Sequence, residues 1–428
     1  MKYSTFVFRN YEFDPSAKTL RMYYGYDDAL TFTETFKFDF DFVEYDHEAL
    51  HHALQQLFFL AGVSYYKMFL APDIRVDAGE IDTELQGFLN KVYQRGLGEF
   101  WYVNSLSPNT PVSFPVNRDS IPQFHLNSSG LIVGVGGGKD SLVSIELLRD
   151  SGQDIATWSL NHRSQLTPLV ERIGLKHYFV EREWDPQMVQ LNERGAYNGH
   201  VPISAIIAAT GTVVAILTGR RDHVVSNEQS ANEPTLKYEG IDINHQWSKS
   251  GEFEQMYQNL LEHTFGEGVR YYSLLRSLSE LRIAELFATQ GWFKKYADVF
   301  SSCNRAFVHS SDHMSWCGQC PKCAFVYLAL TPFLPAAQVQ DLFGGRNLLL
   351  NPELEIIYRQ LLGIDSNKPL ECVGEVKESR AAMREARKTH VELRRYIFDI
   401  PNSYNFRALS PNHMPPEIYE LIEPKIRQ

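Results

Sequence analysis

Cysteine is scarce in this sequence, and the scarcity excludes one class of protein. Five cysteines occur in 428 residues, and four of them fall between positions 303 and 323. A secreted disulfide framework has many paired cysteines in a short chain, so this class is excluded. The start, MKYSTFVFRNYEF, also lacks the long apolar region of a signal peptide. We therefore expect a cytoplasmic protein.

Long apolar runs are scarce as well. The run nearest to membrane length, VPISAIIAATGTVVAILTG, covers residues 201–219 and includes one serine, three threonines and two glycines. This polar content fits a buried helix better than a transmembrane helix. The sequence therefore predicts no membrane partner.

Basic side chains are outnumbered by acidic ones. The chain has 41 Lys and Arg against 52 Asp and Glu, a net charge of -11. Binding to a phosphate backbone needs clustered basic residues, so nucleic acid is not expected as a partner. One basic stretch, residues 377–396, has seven Lys or Arg against three Glu. We interpret it as a solvated helix with staggered Glu–Arg pairs.

The length predicts two or three domains. Residues 1–103 alternate like strands and then show helical patterns near 48–61 and 81–95, which indicates a separate α+β domain. Residues 104–130 are rich in Pro, Ser and Asn and predict a linker. Residues 331–428 are predicted to form a helical C-terminal region, because most of the chain beyond 250 has a helical pattern.

Between these regions, residues 131–330 predict an α/β domain. The apolar runs LIVGV, IATWSL, HYFVE and HVVSN alternate with helical patterns near 142–149, 165–173 and 203–217. Alternating strands and helices are typical of a parallel, doubly wound sheet with helices on both faces. Ligands of such sheets bind beyond the carboxyl ends of the strands.

A glycine-rich turn, GVGGGKDS at residues 134–141, follows the first of these strands. Free backbone amides and the positive end of a helix dipole make such a turn a phosphate site. The Walker pattern does not fit, because Val133 replaces its first glycine and Asp140 follows the lysine. The dinucleotide pattern does not fit either, because its last glycine falls on Lys139 or Ser141.

The cysteines form the pattern C-x13-C-x2-C-x2-C. Four thiolates suit a tetrahedral zinc ion, and a site with four protein ligands is structural because no position stays open. His309 and His313 lie between the cysteines and could replace one ligand, whereas the fifth cysteine, Cys372, is expected to be an ordinary thiol. The expected metal ligands are Cys303, Cys317, Cys320 and Cys323.

Polar segments near the predicted strand ends are candidates for a substrate site. One follows the strand HVVSN, a second is INHQWSKS, and a third, YNGHVP, precedes the apolar helix and contains His200. The expected substrate-binding residues are Asn227, Glu228, Ser230, Asn232, His245, Gln246 and Trp247. Lys249 lies in the second segment and could close over a bound nucleotide.

The glycine turn resembles the SGGxDS loop of the PP-loop ATP pyrophosphatases, which release pyrophosphate and attach AMP to a substrate oxygen. The resemblance implies an adenine nucleotide alpha hydrolase-like sheet. Gly137, Gly138, Asp140 and Ser141 match the motif, and Gly136 replaces its usual serine. WCGQCPKCAF is similar to the zinc site of 7-cyano-7-deazaguanine synthase, another PP-loop enzyme, although that enzyme has shorter upstream cysteine spacing.

Together, GVGGGKDS, SNEQSANEP, INHQWSKS and WCGQCPKCAF resemble the UDP-N-acetyl-muramoyl-L-alanyl-L-glutamate epimerases, the MurL family. The resemblance spans residues 131 to about 323. It implies use of ATP and Mg²⁺ to convert the terminal L-Glu of UDP-MurNAc-L-Ala-L-Glu into D-Glu through a carboxyl-adenylate, with release of AMP and pyrophosphate. Such an activity serves peptidoglycan synthesis and thus the cell wall and cell shape.

The expected nucleotide-binding residues are Gly136, Gly137, Gly138, Lys139, Asp140 and Ser141. Lys139 would stabilise phosphate charge and Asp140 would contact the metal. Candidates for the epimerising base are His200, Glu228, His245 and Lys249, among which the sequence does not choose.

Two other interpretations stay open at this point. One is a PP-loop enzyme that adenylates a nucleobase precursor or tRNA. The other is a nucleotide-sensing protein without catalysis. Release of pyrophosphate in the presence of a substrate would separate the enzymes from the sensor. The oligomeric state is left open.

Overall fold

The computed structural model describes residues 3–307, 314–364, 367–400 and 404–428. Eleven strands lie within these ranges: β1 Thr5–Asp14, β2 Thr19–Tyr26, β3 Leu30–Asp39, β4 Asp73–Val76, β5 Leu131–Gly134, β6 Ile155–Leu160, β7 His177–Glu183, β8 Asp222–Val225, β9 Leu236–Tyr238, β10 Ile241–Ile243 and β11 Arg270–Ser273.

Sixteen α-helices lie within the same ranges: α1 His47–Ala61, α2 Val63–Tyr66, α3 Thr83–Arg95, α4 Gly98–Val103, α5 Lys139–Arg149, α6 Arg163–Ile173, α7 Gln187–Glu193, α8 Ile203–Thr218, α9 Gly251–Phe265, α10 Glu280–Thr289, α11 Trp292–Tyr296, α12 Pro321–Leu330, α13 Ala336–Leu342, α14 Glu355–Leu361, α15 Val376–Ala386 and α16 Pro416–Ile426.

Nine of the strands form one sheet in the order β11-β8-β5-β6-β7-β3-β2-β1-β4. The five strands from β11 to β7 are parallel to their neighbours. The α/β class with a largely parallel sheet is thereby confirmed. Because the chain passes from β5 to β6 on one side and later places β8 on the other, the strand order reverses at β5. A crevice at such a reversal is where ligands of open α/β sheets bind.

The N-terminal strands extend this same sheet. β3 pairs antiparallel with β7, and β2 and β1 continue the sheet outward. Phe32, Phe36 and Phe38 lie on one face of β3 and are buried, so this face of the strand packs against the core. The strands expected in a separate α+β domain therefore share a sheet with the α/β region. The domain bounds at 103, 131 and 330 stay a prediction.

Residues 104–130 contain no helix or strand, as expected of a linker, but they are anchored. The Phe114 side chain is buried, and its backbone N–H donates to Asn90 Oδ1 at 2.8 Å. The backbone N–H of Phe124 donates to the carbonyl of Thr264 at 2.8 Å. This segment is therefore fixed at one point to α3 and at another to α9.

Two parts of the chain depart from the sequence prediction. β11 lies within the region predicted to be mostly helical, because its four residues are too few to show a strand periodicity. The basic stretch forms α15, whose Ala381, Ala382 and Met383 are buried, so this helix is amphipathic and not fully solvated. The apolar run at 201–219 forms the buried helix α8, as predicted. Among the described residues no helix is long and apolar enough to cross a membrane.

Packing of α8 on β8 gives a testable prediction of stability. Gly211 faces His223 of β8 so closely that an added Cβ would overlap the imidazole ring, which is fully buried. Gly211→Ala is expected to lower the free energy of unfolding by at least about 1–3 kcal/mol, as overpacking does. Gly87→Ala in α3 is the control: its Cβ would meet no other heavy atom within 4 Å. Urea unfolding should find this control unchanged or stabilised by about 0.4–1 kcal/mol.

Candidate active site

The glycine turn joins β5 to α5 at the strand reversal. Gly137 has φ +89°, and a Cβ there would lie 2.9 Å from Met314 Sδ and 3.0 Å from the Ser301 carbonyl oxygen. The same segment is held by a hydrogen bond from the Ser301 N–H to the Gly137 carbonyl at 3.0 Å. Gly138 caps α5 without a side-chain bond, which leaves the first backbone N–H groups of the helix for a ligand. The predicted strand–turn–helix geometry of this segment is thus observed.

Three neighbouring parallel strands each lead to one carboxylate. Asp140 follows β5, Glu228 follows β8 and Glu280 follows β11, and one oxygen of each lies within 4.8 Å of the others. Glu228 and Glu280 are buried. Hard divalent cations such as Mg²⁺ prefer carboxylate oxygens. The structure therefore brings two residues predicted from the sequence together with one, Glu280, that was not.

Lys139 balances part of this charge. Its ammonium donates to Asp140 and Glu280, and its side chain is only 2% exposed. Burial would lower the pKa of Lys139, but these two carboxylates outweigh burial and raise it well above its ordinary value. Burial would raise the pKa of Glu280, yet Lys139 and Lys322 lower it to about 2. Lys139 is therefore a permanent cation beside the glycine turn.

The pKa of Glu228 is shifted in the opposite direction from that of Glu280. Burial raises its pKa, and the charge of Glu280 raises it further. Ser230 Oγ donates to Glu228 Oε1 at 3.2 Å. Lys249 and Lys322 act in the opposite direction, but burial and the neighbouring carboxylates outweigh them at Glu228.

A buried arginine fixes the loops that carry these groups. Arg276 donates to the backbone carbonyl of Glu228 at 2.8 Å and to the backbone carbonyl of Lys249. Its charge is balanced by Glu254 Oε2 at 2.7 Å, and both side chains are almost fully buried. Such a charge-assisted network holds loops in one geometry. The position of Lys249 relative to Glu228 is therefore fixed by the fold.

A second polar cluster is formed by Glu99, His200 and His245, which lie within 4.8 Å of one another. His245 Nδ1 is hydrogen-bonded to Glu99. The ring centroids of His200 and His245 are 4.7 Å apart. Burial would lower the pKa of His245, but hydrogen bonds with Cys372 and Glu99 raise it to about 9. Burial and the neighbouring His245 lower the pKa of His200 to about 4. The two histidines thus differ in charge at neutral pH.

Several predicted substrate residues make contacts within the protein. Asn232 Oδ1 accepts the Gly251 N–H at 2.7 Å, and Trp247 Nε1 donates to Glu252 at 2.7 Å. Asn227 accepts a hydrogen bond from Ser273 Oγ through its backbone carbonyl at 2.6 Å. Gln246 is buried, and no donor among the described residues reaches its Oε1. The substrate role of these residues stays a prediction.

The four cysteines of the expected metal site converge. The Sγ atoms of Cys303, Cys317, Cys320 and Cys323 lie within 4.8 Å of one another. Two of the Sγ–Sγ distances are 3.9 Å and 3.7 Å. The edge of a tetrahedron with zinc–sulfur bonds of about 2.3 Å is about 3.8 Å, so the thiols fit a zinc ion. His309 and His313 lie outside the described residues.

Sequence reasoning missed Glu99, Glu280 and Cys372. Glu280 begins α10 behind the N-cap Ser279, and that cap signal could have located it. Glu99 and Cys372 are far in sequence from the groups they contact. No local pattern marks either residue.

Comparison with known proteins gives consistent matches. The MurL N-terminal domain matches residues 1–274, and the MurL C-terminal domain matches residues 299–398. A protein of Xanthomonas oryzae pv. oryzae is 37% identical over 441 residues, covering 98% of this chain and 97% of its own. One from Salinispora tropica is 39% identical, with 88% and 84% covered, and one from a Micromonospora species is 41% identical, with 78% and 74% covered. All three are named UDP-N-acetyl-alpha-D-muramoyl-L-alanyl-L-glutamate epimerase.

Proposed function

The chain belongs to the MurL epimerase family and is therefore an isomerase, and from this premise we propose that it inverts the terminal L-Glu of UDP-MurNAc-L-Ala-L-Glu. We further propose that ATP drives the inversion through a carboxyl-adenylate, with AMP and pyrophosphate as products. The observation that carries this proposal is the convergence of Lys139, Asp140, Glu228 and Glu280 at the glycine turn.

Adenylation explains why ATP is needed for an inversion without net change in bonds. A carbon next to an ionised carboxylate holds its proton tightly, because loss of the proton would create a dianion. Attaching AMP to the carboxylate removes its charge and makes the acyl group electron-withdrawing. An ordinary side-chain base can then remove the Cα proton. Water afterwards cleaves the acyl-adenylate.

The glycine turn supplies the groups that a phosphoryl-transfer site requires. The free N–H groups at the start of α5 would bind pyrophosphate oxygens. Lys139 is fixed by Asp140 and Glu280 and would stabilise the charge that develops on the leaving pyrophosphate. A Cβ at Gly136 would meet no other heavy atom within 4 Å, so packing does not explain why glycine replaces the usual serine of the motif.

Asp140, Glu228 and Glu280 would hold Mg²⁺, which when bound offsets phosphate charge. The donor set fits because all three are carboxylates. In addition, Glu280 Oε1 is buried and accepts no hydrogen bond from any described residue. Its nearby cation, Lys322 Nζ, is 3.5 Å away.

The test is one incubation in heavy water with ATP, Mg²⁺ and UDP-MurNAc-L-Ala-L-Glu. Pyrophosphate release and deuterium at the glutamate Cα are both expected. Asp140→Ala should lower both by about 10²–10³-fold, because it removes one of the three carboxylates that would hold Mg²⁺ against the reacting phosphates. Asp28→Ala is the matched control, since the Asp28 side chain is 91% exposed.

The outcomes separate the alternatives. Pyrophosphate release without deuterium would mean an adenylating enzyme that acts on another substrate. If folded, metal-loaded protein gives neither signal, catalysis is contradicted and only a nucleotide-binding role is left. Deuterium that appears equally without ATP would contradict the adenylate route.

A further inference from the structure

Cys372 lies where three distant parts of the chain meet. It follows α14 and precedes α15, and it stands apart from the four clustered cysteines. Lys249 Nζ donates to its Sγ at 3.4 Å. His245 lies beside Cys372, where its positive charge favours the thiolate, and its Nδ1 is hydrogen-bonded to Glu99. A thiol, an imidazole and a carboxylate in this sequence of contacts form the arrangement that activates catalytic cysteines.

The surroundings of the thiol favour its ionised form. Burial alone would raise the pKa of Cys372, but Lys249 and His245 outweigh it and lower the pKa to about 7. Lys322 acts in the same direction from α12. The neighbouring Glu371 is itself partly buried, and burial raises its pKa. A base is most effective when its pKa lies near the working pH, and a thiolate at pH 7 meets this condition.

The thiol also lies toward the proposed adenylation site. Cys372 raises the pKa of Lys249 above its ordinary value, against the effect of burial, and Glu228 and Asp140 raise it further. Lys249 therefore interacts with the thiol and with two of the clustered carboxylates. Arg276 ties the backbones of Lys249 and Glu228 together. Lys249 thus contacts the thiol directly, and Arg276 holds its backbone beside the loop that carries Glu228.

We propose that Cys372 is the catalytic base that removes the Cα proton of the adenylated glutamate. The proposal rests on the proposed function. The Cα–H bond breaks, its proton moves to Sγ, and the electron pair passes into the adenylated carboxyl group as an enolate. Water protonates the opposite face of Cα, and the thiol proton neutralises the resulting hydroxide through solvent. Nothing is oxidised or reduced.

The other candidate bases are less suited to this step. Burial and the neighbouring His245 lower the pKa of His200 to about 4, which makes it a weak base at neutral pH. His245 is already engaged by both Glu99 and Cys372, and its raised pKa keeps it protonated. Lys249 is an ammonium whose pKa is raised by the neighbouring thiol. Glu228 belongs to the carboxylate cluster beside the phosphates. In this arrangement His245 and Lys249 are positioning residues that keep the sulfur ionised.

The experiment separates adenylation from proton removal. Cys372→Ala and Cys372→Ser are incubated in heavy water with ATP, Mg²⁺ and UDP-MurNAc-L-Ala-L-Glu. Pyrophosphate release is expected to stay within a few-fold of the unchanged chain, whereas deuterium at Cα falls by about 10²–10⁴-fold. Deuterium at the unchanged rate would overturn the proposal. Loss of both signals in both variants would also overturn it, because Cys372 would then serve binding or folding. If the unchanged chain gives neither signal, the proposed function itself fails.

A second measurement does not depend on the variants being active. The rate of alkylation of Cys372 by iodoacetamide is followed against pH, with Cys372→Ala as the blank. Because a thiol reacts as the thiolate, the rate should rise with pH around a midpoint near 7. Lys249→Met should move this midpoint upward, since the ammonium at 3.4 Å is removed. An unmoved midpoint, or a glutamyl thioester found on Cys372 by intact mass, would overturn the role as base.

Discussion

Lys139→Met is expected to lower the free energy of unfolding by about 3–5 kcal/mol and to abolish ATP-dependent pyrophosphate release. The Lys139 side chain is 2% exposed and contacts Glu280, which is 1% exposed. Removing Lys139 leaves the buried Glu280 charge with Lys322, at 3.5 Å, as its remaining close cation. Methionine matches the volume of the lysine stem, so the change tests the charge and not the packing.

Unfolding in urea at pH 7 and pH 4 measures this loss. The pKa of Glu280 is lowered to about 2 in the folded chain, so its ionised form contributes stability above its ordinary pKa and loses it as the pH falls. The variant lacks that contribution. The difference in free energy of unfolding between the unchanged chain and Lys139→Met should therefore be largest at pH 7 and smaller at pH 4.

Lys388→Met is the matched control, because that side chain is 68% exposed in a helix-surface pair with Glu385. Its effect should stay below about 0.5 kcal/mol. An equally small effect of Lys139→Met would contradict the buried-pair account. A difference that grows as the pH falls would contradict the assigned charge of Glu280.

The parallel half of the sheet was predictable because its signals are local. LIVGV and IATWSL are continuous apolar runs, which strands covered on both faces require. The helices that follow them begin within three residues of the predicted starts at 142 and 165. The strand–turn–helix geometry of the glycine turn was likewise predictable, because all its signals lie in one continuous stretch of the sequence.

The rest of the fold depends on contacts between distant residues. The pairing of β3 with β7 joins positions 35–39 to positions 179–183. Both strands are amphipathic, so the sequence does not show whether β3 ends a separate sheet or extends this one. The sequence predicts a separate α+β domain for residues 1–103, whereas the strands of this region share one sheet with the α/β region.

The candidate site, like the sheet, was predicted only where its residues carry a local sequence signal. Asp140 is predicted from the glycine turn, and Glu228 is predicted because its polar segment follows an apolar strand. Glu280 follows β11, a strand too short to recognise, and Cys372 lies in a segment without regular structure. The sequence predicts an ordinary thiol at Cys372, because Lys249 and His245, which lie beside it in the fold, are more than 100 positions away along the chain. Only the fold reveals that contact.

The four-cysteine site is predicted to hold zinc, and loss of that ion is expected to destabilise the active site as well as the C-terminal core. The cluster is directly tied to the glycine turn: the Ser301 N–H binds the Gly137 carbonyl, and Ser301 Oγ accepts the Cys303 N–H at 3.1 Å. Lys322, between two of the cysteines, reaches Glu280 Oε1. Binding of structural zinc is worth on the order of 10 kcal/mol in small domains, so its loss should lower the melting temperature strongly.

Cys323→Ser and treatment with a chelator should therefore remove bound zinc, lower the melting temperature and stop pyrophosphate release even with excess Mg²⁺. Zinc content by mass spectrometry, thermal unfolding and pyrophosphate release measure the three effects. Cys372→Ser is the control for zinc content, because its Sγ lies outside the cluster. Pyrophosphate release that survives complete zinc removal would mean that the turn keeps its shape without the ion. The hydrogen bonds between Gly137, Ser301 and Cys303 would then be sufficient to hold it.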